Sequence, residues 1–183
     1  MSITKERAQE IETLVDNILT QNELSPRFDL THFLFQKGFQ IVQQELDDDT
    51  TGMLFVDDNN FIPGTQSNKL IVINSKLKQK DDFIQRRRYI SAHEFAHEQL
   101  HKKEQVQYAH RDYSKKETQE EMEADYFARC LLMPRKFIES LFSLEQFKQL
   151  PFNMKVAIVS SVFNVTESKA QKRLESDLGY HAG

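Results

Sequence analysis

Two short runs of this chain carry side chains whose types and spacing could do chemistry. The first is His93-Glu94-Phe95-Ala96-His97, an H-E-x-x-H pattern. On a helix, residues four apart point to the same side, so His93 and His97 can offer both imidazoles to one metal ion. Glu94 sits at the edge of that face. Its carboxylate can reach a water held on the metal but is badly placed to be a ligand. The second run is Glu120-Glu121-Met122-Glu123-Ala124-Asp125. Glu121 and Asp125 are four apart and share a face. Glu121 can complete a set of two histidines and a carboxylate. Asp125 can accept a hydrogen bond from the free ring nitrogen of a ligand histidine, which fixes its tautomer and orientation. Glu123 points away from this stripe and is expected in solvent or on the helix's other side, and Glu117 and Glu120 read as solvent-facing charge.

Such a donor set suits one zinc ion, which takes nitrogen and oxygen ligands in tetrahedral geometry and in catalytic sites keeps one position for water. The metal acidifies that water, and Glu94 can take its proton as general base. Peptide hydrolysis by this route also needs a donor for the developing oxyanion. Tyr108, His110 and Tyr113, between the two runs, are candidates, set against the reading that all three are ordinary loop residues. His101 continues the histidine stripe but is expected to pack or bond near the site rather than bind metal. His32 and His181 have no partner pattern. Cys130 falls on an apolar helix side and reads as an inert core thiol.

The elements that must position these residues can be read from periodicity. Ala8, Ile11, Leu14, Val15, Ile18 and Leu19 recur at helical spacing, predicting an amphipathic helix over 3–21. A short helix over 29–37 follows, with Gly38 as its C-terminal cap. Residues 39–45, 53–56, 61–62 and 69–74 then read as strands, the last rich in β-branched side chains. The acidic run Asp47-Asp48-Asp49 with Thr50-Thr51-Gly52 reads as a solvated turn; it lacks a complete calcium-loop motif. Helical pattern returns over 81–102, carrying H-E-x-x-H, with Asp81 and Asp82 suited to the helix dipole and Arg86-Arg87-Arg88 read as a solvated or ion-paired face. Residues 103–115 read as a loop over the metal side. A helix over 116–133 ends before Pro134, and shorter helices follow at 134–142, 144–150, 153–163 and 167–178. The order predicts an α+β fold, a small antiparallel sheet packed with a mainly helical body around the histidine helix.

The 183 residues suit one domain, perhaps with an appendage. The net charge of −4 argues against a general nucleic-acid-binding surface. A single cysteine excludes an internal disulfide and fits a reducing cytosol. No secretory signal or membrane-span-length apolar run is visible. The pair of helices around Asn164-Val165-Thr166 has helix-turn-helix spacing. Residues 152–183, however, set Lys155, Lys169, Lys172 and Arg173 against Glu167, Glu175 and Asp177, near neutrality. DNA binding is not expected on that balance.

His93-Glu94-Phe95-Ala96-His97, the trailing His101 and Glu121-Met-Glu-Ala-Asp-Tyr-Phe-Ala-Arg-Cys-Leu-Leu-Met-Pro134 resemble the ImmA/IrrE-type zinc metallopeptidase family, most specifically between Arg88 and Pro134. Where that family commonly has Asn, this chain has Asp125, which leaves the hydrogen-bonding role open to it. The resemblance implies a metallopeptidase-like domain over 1–151 with a C-terminal helical segment, 152–183, packed on it. It further implies a bacterial or phage-borne cytoplasmic enzyme that cuts a transcriptional repressor or regulator. A non-catalytic zinc-containing protein that binds a regulator without cutting it is the alternative; a fourth protein ligand in place of water would mark it.

Overall fold

The computed structural model describes residues 3–57, 59–101, 107–112 (backbone only) and 118–181. In chain order the elements are α1 (Lys5–Gln21), α2 (Leu30–Gln36), β1 (Phe39–Gln44), β2 (Thr50–Val56), β3 (Lys69–Asn74), α3 (Phe83–Leu100), β4 (Gln107–Asp112), α4 (Gln119–Leu132), α5 (Arg135–Phe142), α6 (Glu145–Lys148), α7 (Phe152–Phe163) and α8 (Glu167–Lys172). This is an α+β fold. Cα packing divides it into two compact units, one built on Asp29–Asp125 and the other on Thr4–Phe28 with Tyr126–Gly183. The division falls inside α4. No helix among the described residues is long and apolar enough to cross a membrane.

The first unit is a four-stranded sheet, ordered β1-β3-β2-β4, with α2 and α3 packed on it. β3 takes a central place because its run Leu70-Ile71-Val72-Ile73 is apolar on both faces, and all of it is buried. β2 runs antiparallel to β3 and to β4, as expected of a small antiparallel sheet. The β1–β3 pair, however, is parallel, with Phe39 opposite Lys69 and Ile41 opposite Ile71. The chain reverses between β1 and β2 and again between β2 and β3, so β1 and β3 point the same way once β3 lies between them. β1, with Gln40, Gln43 and Gln44, is the half-exposed edge.

Three further expectations are corrected. Thr50, Thr51 and Gly52 belong to β2 rather than to the acidic turn. Asn74 draws them in: its Nδ2 donates to the carbonyls of Thr50 (2.7 Å) and Asp47 (3.1 Å). Phe61 and Ile62 form no strand; they sit in a loop closed by Asp57 N to Asn68 O (2.9 Å) and Ile62 N to Ser67 O (2.8 Å). Within the span read as a loop, Gln107–Asp112 pairs with β2 as β4, backbone hydrogen bonding having prevailed over a sequence without apolar alternation.

Capping sets the helix starts. Thr4 caps α1 through Arg7 N, and Asp29 caps α2 through His32 N. Gly38, at φ 84°, supplies the left-handed residue that turns α2 into β1. In the second unit the α1 stripe Ile11, Val15, Ile18 and Leu19 is buried, as are Phe127, Leu131, Ile138, Val159, Phe163 and Leu174. This unit also buries charge. Arg173, 1% exposed, donates to the Met133 carbonyl (3.2 Å) and pairs with Glu12 (3.3 Å) and Asp177 (3.6 Å). Glu12 also accepts from Tyr126 (2.9 Å) and Arg135 (2.9 Å), and Arg129 grips Asp177 with two bonds of 2.6 and 3.0 Å.

Candidate metal centre

α3 is buried almost all round from Tyr89 to Glu98, unlike the one-sided helices of a surface. Phe95 fixes its rotation. Its ring meets Phe33 and Phe39 edge-to-face at centroid distances of 5.6 and 5.7 Å, pairs worth about 0.5–1.5 kcal/mol each beyond burial. Glu98 pairs with Lys69 of β3 at 2.8 Å. With Phe95 held in the core, His93 and His97 turn together toward the start of α4.

There the side chains converge. His93 Nε2 lies 3.2 Å from Glu121 Oε2, His97 Nε2 lies 3.2 Å from Glu121 Oε1, and the two Nε2 atoms are 3.1 Å apart. Ligands sharing a tetrahedral ion at bonds of about 2.0–2.2 Å would lie roughly 3.3–3.6 Å from one another, within a few tenths of an ångström of these separations. The three residues therefore form a cluster that could hold a metal ion. Burial favours the neutral His97 imidazole, lowering its pKa against the hydrogen bond to Glu121, and the neighbouring His93 adds to that. A neutral imidazole is the form that ligates. Burial alone would raise Glu121; the hydrogen bonds from His93 and His97 outweigh it and hold the carboxyl well below the ordinary carboxylate range. Glu121 is thus an anion set between two imidazoles.

Glu94 is 1% exposed. Its carboxylate lies beside the backbone of β2 at Gly52. A Cβ at that position would stand 3.1 Å from Glu94 Oε1 and 2.4 Å from Ile90 Cγ2. Only glycine lets the strand come this close. A glycine inside a strand is the sequence signal for such an approach.

Asp125 Oδ1 is 3.6 Å from His93 Nδ1, on the ring edge away from Glu121. The Tyr89 hydroxyl shares its one proton between that same Oδ1 and the Asp125 carbonyl, both at 3.0 Å. Tyr89, one turn before His93, is a site residue that the motif spacing does not name. Glu123, expected in solvent or on the helix's other side, takes the second place: it is 7% exposed and accepts from Gln119 Nε2 at 3.0 Å. The face of α4 opposite the ligand stripe is covered, so helical geometry separated Glu123 from Glu121 without placing it in water. His101 Nε2 lies 3.2 Å from the Glu120 carbonyl, its ring 5.5 Å from that of His97 and outside the cluster. Tyr108 and His110 lie on β4, where only the backbone is described, and Tyr113 lies outside the described residues. Cys130 is buried, and burial pushes its thiol up to about 12.

A histidine pair and a carboxylate, borne on two helices against a small mixed sheet, define the class of H-E-x-x-H metal-site proteins. Within that class, the peptidase family described as the IrrE N-terminal-like domain matches residues 36–175, and this chain belongs to it. The family supports a function of metallopeptidase type. No curated protein matches the chain.

Proposed function

We propose that this protein is a zinc-dependent endopeptidase that cuts a specific regulatory protein at a defined bond. The observation that carries the reading is the convergence of His93, His97 and Glu121 at 3.1–3.2 Å, with Glu94 next to the first histidine on the same helix. Two imidazoles and one carboxylate are a zinc donor set that leaves a position open. Zinc held there would acidify a water and polarise a carbonyl. His93 and His97 donate their neutral Nε2 lone pairs, and Glu121 contributes negative charge. Glu94 takes the proton of the attacking water and returns it to the departing amine. Its confinement against Gly52 keeps the carboxylate from swinging away. Asp125 orients the His93 ring. Tyr108, His110 or Tyr113 would supply the oxyanion donor.

We infer a transcriptional repressor or regulator as the substrate, in a bacterial or phage setting, from the motif resemblance between Arg88 and Pro134. The single, buried cysteine suits the cytoplasm. The test is to incubate the zinc-loaded protein with the regulator encoded beside it and weigh the fragments. A pair of fragments from one bond is expected with wild type and not with Glu94→Gln at equal zinc content. Tight binding of the regulator with no cut by wild type would replace the enzyme by a binding protein.

A further inference from the structure

We propose that Tyr89 is a positioning residue for the metal centre, tying the helix that carries the histidines to the helix that carries Glu121 and orienting His93 through Asp125. The inference rests on the metal reading above and goes beyond the H-E-x-x-H and Glu121 positions.

Tyr89 precedes His93 by four residues, so both lie on one face of α3. It is 3% exposed, yet its hydroxyl has a polar destination. The hydroxyl faces Asp125 twice, at 3.0 Å from the main-chain oxygen and 3.0 Å from Oδ1. The main-chain contact fixes the height of α4 against α3 one turn after Glu121. The side-chain contact fixes Asp125 Oδ1, the atom that stands 3.6 Å from His93 Nδ1. A carboxylate's terminal torsion is broad and roughly two-fold, so a donor on one oxygen selects which orientation faces the imidazole. The sequence of atoms is Tyr89 Oη, Asp125 Oδ1, His93 Nδ1 and, across the ring, His93 Nε2 at the cluster. At 3.6 Å the Oδ1–Nδ1 pair is an electrostatic contact longer than a hydrogen bond; the carboxylate's charge on that edge favours the proton on Nδ1 and leaves Nε2 as the lone-pair donor. A phenylalanine at 89 would keep the ring's packing and lose both contacts, so the hydroxyl is the tested atom.

The experiment measures zinc affinity by chelator competition, and the ligand-field spectrum with cobalt in place of zinc, for wild type, Tyr89→Phe, Asp125→Ala, Asp125→Asn and the double variant Tyr89→Phe/Asp125→Ala. Loss of an outer contact to a ligand histidine typically costs about 10–100-fold in metal affinity. Tyr89→Phe should lose affinity in that range and shift the cobalt spectrum, while unfolding of the metal-free protein moves little. Asp125→Asn, which keeps an acceptor oxygen, should retain most of the affinity. In the Asp125→Ala background, Tyr89→Phe should cost clearly less than it does alone, because residues acting through one another are not additive. Affinity within about twofold of wild type for Tyr89→Phe, or an equal loss in both backgrounds, would overturn the proposal; effects within that range count as independent. Zinc uptake unchanged by His93→Ala would instead overturn the metal reading, and this inference with it.

Discussion

Both compact units bury charge, but with different composition. In the second, cations and anions alternate: Arg135 and Arg173 meet Glu12, and Arg129 and Arg173 meet Asp177. Such a set contains its own counter-charges and serves the fold. In the first, two imidazoles converge on Glu121 and the Asp125 carboxylate stands beside His93; as neutral rings and anions, all offer lone pairs. A set of that kind could hold a cation from outside the chain. The composition of a buried polar cluster, more than its size, separates the structural from the chemical.

The sharpest way to break this comparison is Glu94→Gln. It keeps shape and removes the proposed base, so cleavage should fall by about a hundredfold to ten-thousandfold with zinc content unchanged. Equal cutting by both proteins would end the assignment. Next comes Arg173→Ala, which leaves Glu12 and Asp177 short of a buried partner. Urea unfolding should show a loss of about 3–5 kcal/mol, typical of breaking a buried ion pair from one side. Glu121→Ala should strip the metal yet cost the metal-free fold far less. If the two variants destabilise the metal-free protein equally, the clusters do not differ as described. Gly52→Ala is smaller in stability, about 1–3 kcal/mol for overpacking. It should lower cleavage while sparing zinc uptake, because the new methyl meets Ile90 and Glu94 rather than the ligands. The smallest signal is at Cys130. Burial disfavours its thiolate, so a thiol reagent should label it only after the protein unfolds; prompt labelling of the native protein would show that the second unit opens.

What could be read in advance follows the range of the interactions. α1 was legible because its apolar periodicity is local and strong, β3 because its β-branched run is continuous, α2 because Asp29 and Gly38 punctuate it, and α3 through the four-residue spacing of His93 and His97. The nearness of His93, His97 and Glu121 was legible in part, since the first two share one helix face and the third sits on a downstream helix whose own stripe singles it out. The parallel β1–β3 pairing was not, because it depends on which strand wins the central place. β4 was not, because Gln107-Tyr-Ala-His-Arg-Asp112 has no apolar alternation and gains its form from β2. Spacing put Glu123 off the ligand stripe, but its burial is set by the packed neighbours of α4, which spacing within the helix does not reveal. Tyr89 and Gly52 matter through contacts across elements, which spacing within one element does not reveal.

The strand order also sets a schedule for assembly. Val56 and Lys69 pair across 13 positions, Phe39 and Lys69 across 30, and Val56 and Gln107 across 51. Closing the 30-residue loop costs about 0.7 kcal/mol more than closing the 13-residue one, from the logarithmic dependence of closure entropy on length. On closure entropy alone the β2–β3 hairpin is expected to pair first, β1 to join its free side, and β4 to pair last. Substitutions in β2 and β3 should accordingly slow folding, and those in β4 should mainly speed unfolding. High φ-values in β4 with low ones in β2 would reverse the order. Gly52, the strand residue against which the Glu94 carboxylate packs, therefore belongs to the shortest-range pairing of the sheet.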